Sequence, residues 1–563
     1  MKRSIFDNLS DILFQDNKGA KFLNSHWQTV LTKDPLFTEI FMTIDLVFGN
    51  GKLLRLSSNE LEVTDGENKV GYLPLLMDEP AISTSYTIGS GDASQRTIGI
   101  SLDGRLVDAP SIIASGRTVA GVGQISLQYD GGEYKNRLVL LDGIMTGGVE
   151  FGFKDEPITL DISDPVVAKD RIVPELYITK EDFPHMPEDQ IGQKFPMVVN
   201  GFQGGVPLIR IIPSSHYDYG CTYVVCFGHS VIIESIKIDG NTVDPNDVER
   251  GWTVLRQTTQ SGIPYTAVDF VFPASVSADP NMTDSEALYG LWPDSVSVYA
   301  QVSINSQQQK SAIESIKDLI LENSNYSHND FDWNLYAKSI SRCPFIAIQI
   351  LLNGSDTDNT ATVIDYIQST LLPSIPMLNI VFNRVGIGIL FTDRRIDNYS
   401  LNLVKGQNIL IDRVSSIKET QITDVFNSFN LKYSYDAEKD NYQKNITIDA
   451  SNNKFCKMSE ELFGKIEHDV IESIVLFDDE TANYVLNWLA AHKSLPRYEV
   501  QYNVIASAVT FIDIGDNVQI TDDELGWSNV RATVTGIEYN RGNMILTFTA
   551  WILFDGVDKN TSR

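Results

Sequence analysis

The sequence predicts a mainly β, multidomain chain with an α+β segment in its middle, and three observations carry that prediction. Short β-rich runs recur every 8–15 residues between Asp-Gly and Gly-Gly turns over most of the chain. A helical period replaces them only around residues 306–400 and once more near 480. The 563 residues exceed what one hydrophobic core holds, while 42% hydrophobic content suffices for several.

Residues 1–36 read as an N-terminal arm: "SIFDNLSDILFQ" has the pattern of one or two amphipathic turns, ended by "KDP" at 33–35. A compact antiparallel β domain, sandwich or barrel, is expected over 37–165. It opens with "TEIFMTIDLVFGNGKLLRLSS", a hairpin around Gly49-Asn50-Gly51, and closes with "EPITLDISDP". A second β-rich block, 166–305, contains "IESIKIDGNTV", where an alternating strand meets an Asp239-Gly240 turn. In the α+β segment 306–400, Ile313, Ile316 and Ile320 form one helical face, and Ile364, Ile367 and Leu371 form another, stopped by Pro373. "FIAIQILLN" reads as a buried strand and "NIVFNRVGIGILFTD" as a strand pair. Residues 401–563 return to strands, interrupted by a helix with Asp478 or Asp479 as its cap and Ala482, Val485, Leu486 and Leu489 as its apolar stripe. Within "FIDIGDNVQITDDELGW", 511–527, a strand is expected to run into a Gly515-Asp516 turn and a second short strand to follow. There is no internal repeat.

The 44 basic against 74 acidic residues leave a formal charge of −30. This argues against specific nucleic-acid binding, which draws its affinity from Lys and Arg on phosphates. It is compatible with DNA sliding past an acidic wall. Four cysteines are too few for a disulfide scaffold, and synthesis in a reducing cytoplasm is expected. The N-terminus lacks the apolar run of a secretion signal, and no stretch has the length of a transmembrane helix.

Enzyme signatures are missing: no GxSxG, HExxH, GxxxxGK[ST] or CxxC occurs. "GSGD" at 89–92 and "GVG" at 121–123 are glycine turns that do not continue as phosphate loops. His216, Cys221, Cys226 and His229 are zinc-type ligands within 14 residues, but strict strand alternation sends Cys221 and Cys226 to opposite faces. The bland reading, a buried strand with cysteine as a small apolar residue, is preferred. "NGSDTDNT" at 353–360 has calcium-type oxygens but lacks the central glycine and distal glutamate of a calcium loop, so it reads as a helix N-cap cluster. His26, His185, His328, His468 and His492 are scattered, as are Trp252, Trp292, Trp333, Trp488, Trp527 and Trp551, which read as core anchors rather than a sugar platform. No catalytic, cofactor or metal residue is assigned, and the chain is expected not to be an enzyme.

Two stretches carry a family resemblance. Residues 116–165, "GRTVAGVGQISLQYDGGEYKNRLVLLDGIMTGGVEFGFKDEPITLDISDP", and 479–553, from "DETANYVLNWLAAH" through "IGDNVQITDDELGW" to "RATVTGIEYNRGNMILTFTAWIL", resemble tail-tip and baseplate hub proteins of tailed bacteriophages. The helix–strand unit at 306–400 fits the middle of such hubs, and 166–305 departs from the simplest pattern as an inserted β-rich domain. The resemblance implies that 37–165 and 401–563 are two β domains built like the tail-tube protein. Three copies would then present six similar domains to a sixfold tube while tapering to a threefold tip. It further implies a virion protein at the tail tip, lining the genome-ejection channel. The implied partners are two further copies of itself, a tail-tube or distal tail protein, tip, spike or fibre proteins and a tape-measure protein. The alternative from a different class is a receptor- or glycan-binding tail protein.

Overall fold

In the computed structural model the described residues are 40–49, 51–90, 96–103, 121–146, 150–151, 157–212, 220–247, 251–271, 297–353, 361–393, 401–407, 414–505, 512–540 and 543–551. The arm expected at 1–36, His26, His216, Trp292 and most of the "NGSDTDNT" loop lie outside them.

The chain is mainly β, with an α+β middle, and its strands fall into several sheets, none of which closes into a barrel among the described residues. The first sheet has nine strands between Ile40 and Ser163. Its centre is the antiparallel pair Ile40–Val47 and Val122–Tyr129, buried along nearly its whole length. Continuous burial fits the sequence "IFMTIDLV", which does not alternate because both faces are covered. The Gly49–Gly51 hairpin forms as expected, with Val47 opposite Leu53 and Gly51 at φ +84°. At the middle of this sheet Asp45 is buried, accepting hydrogen bonds from Tyr134 (3.0 Å) and Tyr72 (3.3 Å) beside Arg55 and Arg137. Burial pushes its carboxyl above the usual range, and Arg137 and then Arg55 oppose that shift.

Strands between Phe202 and Ile304 form two four-stranded sheets with a common core of Val206, Val225, Ile236, Val268, Phe270 and Val302 among others. The chain passes from one sheet to the other at Leu208, between strands Phe202–Pro207 and Ile209–Ile212. The Asp239-Gly240 turn is a tight hairpin with both residues at positive φ, joining Val231–Ile238 to Asn241–Val243.

In the middle segment Ser311 and Glu314 form a capping box on the helix Ala312–Asn323, whose Ile313, Ile316 and Ile320 are buried. The second helical stretch starts at Val363 on the Thr362 cap and passes through a π turn, Ile367–Leu371, before ending at Ser374. The strand pair is Leu378–Phe382 with Ile387–Phe391. Of "FIAIQILLN" only Ile350–Leu352 is a strand.

The last sheet takes strands Leu401–Val404, Val414–Glu419, Tyr498–Ile505, Asn517–Asp522, Trp527–Asn540 and Asn543–Ala550. Its seventh strand comes from the other end of the chain. Ile82–Ser85 pairs antiparallel with Gly536–Tyr539, so a segment of the expected first β domain completes the last sheet. The same sheet shares one hydrophobic core with the middle segment, where Leu390, Phe391, Leu486, Trp488, Ile514 and Val534 pack together. Between strands Val414–Glu419 and Tyr498–Ile505, themselves paired, a smaller unit is inserted. It holds the hairpin Phe429–Asp436 and Asn441–Ile448 and the helices Lys454–Phe463 and Asp479–Lys493. Asp478 caps the second helix through Thr481 N–H (2.8 Å), and its expected apolar stripe is buried.

The first sheet is tied to the middle segment by Arg96. Its guanidinium donates to both oxygens of Asp164 (2.7 and 3.0 Å), to Leu140 O (3.0 Å) and to Asn383 O (2.8 Å), with both partners of the ion pair buried. Arg96→Met leaves the Asp164 carboxylate buried without its cation, and a loss of about 3–5 kcal/mol is expected. Urea unfolding of the two proteins checks it, and a loss under about 1 kcal/mol contradicts the role given to this pair.

Candidate functional site at the three-way junction

The opening segment of the C-terminal motif sits where the first sheet, the middle hairpin and the last sheet converge. Ile512–Ile514 is not a strand. These residues lead into a turn in which Asp516 N–H donates to Asp513 O (3.1 Å) and Asp513 N–H donates to Asp516 Oδ2 (2.8 Å). The strand reading failed because the backbone partner of this segment is the turn itself. The isoleucines are nonetheless buried. Gly515 N–H reaches Val534 O, and Val534 N–H returns to Asp516 O, both at 2.9 Å. The expected turn at Gly515-Asp516 is therefore present, and the strand Asn517–Asp522 follows it.

Gly515 is required twice over. Its φ is +79°, a left-handed conformation that side chains disfavour, and a Cβ there would stand 2.2 Å from Leu390 Cδ1 in the middle hairpin. Asp516 binds Lys338 on the helix Trp333–Ile340. Asp332 caps that helix through Asn334 and Leu335 N–H and accepts from Asn383 Nδ2 at 2.7 Å. Asn383 closes the circuit, since its carbonyl is one of the acceptors of Arg96. Burial raises the Asp332 carboxyl pKa against the hydrogen bonds that lower it.

These contacts hold the three segments in one arrangement. Nucleophilic catalysis needs a free nucleophile beside a base. The carboxylates gathered here are already engaged with an arginine, a lysine, an asparagine or backbone N–H groups.

The zinc-type residues are also accounted for. Cys221 and Cys226 do not face opposite ways: the pairing of Gly220–Phe227 with Pro264–Val271 slips at a bulge between Val224 and Cys226. Both cysteines therefore enter the same core, while Val224 packs on the other side. The alternation rule failed for want of that extra residue. Both thiols are pushed up to about 12 by burial. His229 is exposed, with Nε2 2.8 Å from Gln257 O. Among the described residues no group of three His, Cys, Asp or Glu side chains is placed to hold a metal.

Trp252, Trp488, Trp527 and Trp551 are buried, whereas Trp333 is 38% exposed and stacks on His328. His468 packs against Phe426 and Phe429. His492 had no sequence signal beyond its place in a helix, yet it is buried between Trp488 (ring centroids 3.9 Å) and Trp551 (4.8 Å). Its Nε2–H donates to Asp393 O at 2.9 Å. Burial first, and then the Arg497 charge, hold its pKa well below the ordinary histidine range.

No family model matches the chain, and no curated protein matches it. Among solved structures it is similar to a tail protein from Neisseria meningitidis MC58 (8% identity, 91% of this chain and 96% of that one, TM-score 0.38). It is also similar to a chain in the virion of a native gene transfer agent particle (11% identity, 63% and 83%, TM-score 0.38). A third similar chain belongs to the phage P2 baseplate in its activated conformation (13% identity, 68% and 98%, TM-score 0.17).

Two outcomes are expected at these sites. Gly515→Val adds positive-φ strain and a clash with Leu390, together about 2–5 kcal/mol. Equal urea midpoints of variant and parent would remove the turn from its structural role. For His492 the folded pKa is depressed, so the unfolded chain binds the proton more readily. Its contribution to stability is complete above about pH 6.5 and is lost as pH falls from there toward the folded value. Melting temperatures between pH 7.5 and 5 should fall less steeply for His492→Phe than for the parent, and parallel curves refute the assignment.

Proposed function

We propose that this chain is a structural protein of a phage tail tip or baseplate. In this reading it is the hub, a trimeric ring that joins a sixfold tube to a threefold tip and surrounds the ejection channel. The observation that carries the reading is the pairing of Ile82–Ser85 with Gly536–Tyr539. It makes the two ends of the chain one body, so that the β unit near each end is held at a fixed angle to the other. A collar in which three molecules supply six wall segments needs that rigidity, because a hinge between the segments would let the ring close with the wrong number of copies.

Three further features support the proposal. The ordered sequence resemblance covers both end units and the middle. The formal charge of −30 suits a channel wall that phosphates slide past. The polar cluster at the junction joins separate segments of the chain, which serves cohesion. On this reading 37–165 and 401–563 supply the wall. The inserted domain 166–305 stands apart from it, and tube, distal tail, tip and tape-measure proteins are the neighbours.

The test is the mass of the purified protein at micromolar concentration. A species at three times the 62.8 kDa chain mass, with threefold rings in negative-stain images, is expected. A monomer that binds cell envelopes instead favours a receptor-binding tail protein and overturns the ring.

A further inference from the structure

Beside the pairing of Ile82–Ser85 with Gly536–Tyr539 lies a cavity of about 10 Å³, close to the room that one water molecule needs. Thr84 and Tyr539 line it from the two strands of that pair. Arg384 lines it from the bend between Leu378–Phe382 and Ile387–Phe391, and Asp513 from the turn at Gly515. The cavity therefore sits where the strand exchange, the middle hairpin and the C-terminal motif meet.

Arg384 is the group left incomplete there. Its Nη1 is buried and has no hydrogen-bond partner among the described residues. The other arginine on the wall, Arg96, is fully occupied by Asp164, Leu140 O and Asn383 O. Burial works against the Arg384 charge, but Tyr539, Asp513 and Asp332 together outweigh it and raise its pKa. The guanidinium thus stays charged, and a buried charged N–H without an acceptor costs free energy that a bound acceptor returns.

The surrounding charges select the acceptor. Arg384 faces the Asp513 carboxylate, and Arg96 is already balanced by Asp164. Asp332 does not line the cavity, and its oxygens are spent on the helix cap and Asn383. A halide would accept from Arg384 but bring a second negative charge beside Asp513, and a metal cation would meet Arg384. Water suits both neighbours, because it accepts from an N–H while donating to a carboxylate.

We propose that one ordered water occupies this cavity, accepting from Arg384 Nη1 and donating to Asp513, with the hydroxyl of Thr84 or Tyr539 as its third partner. It fastens the bend of the middle hairpin to the exchanged strand. A buried water makes about three hydrogen bonds as a rule, which is the number offered here. The site goes beyond the hub reading and stands without it, because every partner belongs to one copy of the chain.

The experiment is a crystal structure of the full chain at a resolution that shows ordered water, from crystals with and without a sodium bromide soak. One density peak is expected at hydrogen-bonding distance from Arg384 Nη1 and Asp513, with no bromide anomalous signal on it. An empty cavity, bromide at the peak, or a protein oxygen bonded to Arg384 Nη1 overturns the proposal, and none of these outcomes needs a variant to fold. The fastening is read by hydrogen exchange in Arg384→Met, which removes the donor and keeps a long side chain. Amides of Ile82–Ser85 are expected to exchange at least about tenfold faster than in the parent, the equivalent of one hydrogen bond to a charged group, while those of the remote strand Val231–Ile238 keep their rates. Unchanged exchange at Ile82–Ser85 overturns the fastening.

Discussion

The architecture depends on one short exchange: a four-residue strand, Ile82–Ser85, leaves the first sheet's stretch of sequence and completes the last sheet. Eleven residues further on, Arg96 returns the chain to the first sheet and locks to Asp164 and Asn383. Between them these contacts set the first sheet, the middle hairpin and the last sheet in one frame. Among the described residues the exchange is also the strand pairing most distant in sequence. Closing it requires most of the intervening chain to be in place, and such contacts form late because their loop entropy is met before they return any energy.

Seen from that frame, two large stretches are insertions. Residues 202–304 build a two-sheet unit with its own core, and residues 420–497 build a hairpin with two helices. The second leaves and re-enters the last sheet at adjacent points, where Thr420 and Arg497 bond each other. Loop-closure entropy rises only slowly with loop length, so a sheet keeps its register across an insertion of this size if the ends stay paired. Arg497, which closes the insertion, packs its guanidinium over the Trp551 ring, 5.0 Å from its centre.

Local order was legible in the sequence, and long-range pairing was not. The hairpins at Gly49–Gly51 and Asp239-Gly240 announced themselves through residues that accept positive φ, and the helix at 312–323 through Ser311 and Glu314. "ISTS" carries no such signal. It is short and half polar, and its partner lies at the far end of the chain, so no window of sequence holds both halves of the information. The cysteine strand shows a second limit. Alternation predicts facing only while pairing is regular, and the single bulge after Val224 turned Cys226 into the core beside Cys221. At the junction the glycine was readable as a turn. Its closeness to Leu390 was not, because that contact belongs to packing between segments.

Charge placement carries the last step. Arg96 and Arg137 are buried, and each spends its charge on an acceptor inside the fold. Each is matched by a buried carboxylate, Asp164 or Asp45, so the formal −30 is carried by the charges that remain outside these pairs. Two such surfaces repel at low ionic strength and approach only where the repulsion is screened or locally reversed. Contact between two such surfaces is then least opposed at uncharged features, such as exposed apolar side chains like Ile417. A negative surface thus narrows where contact can be made, and a narrow choice of contact is what an ordered assembly requires.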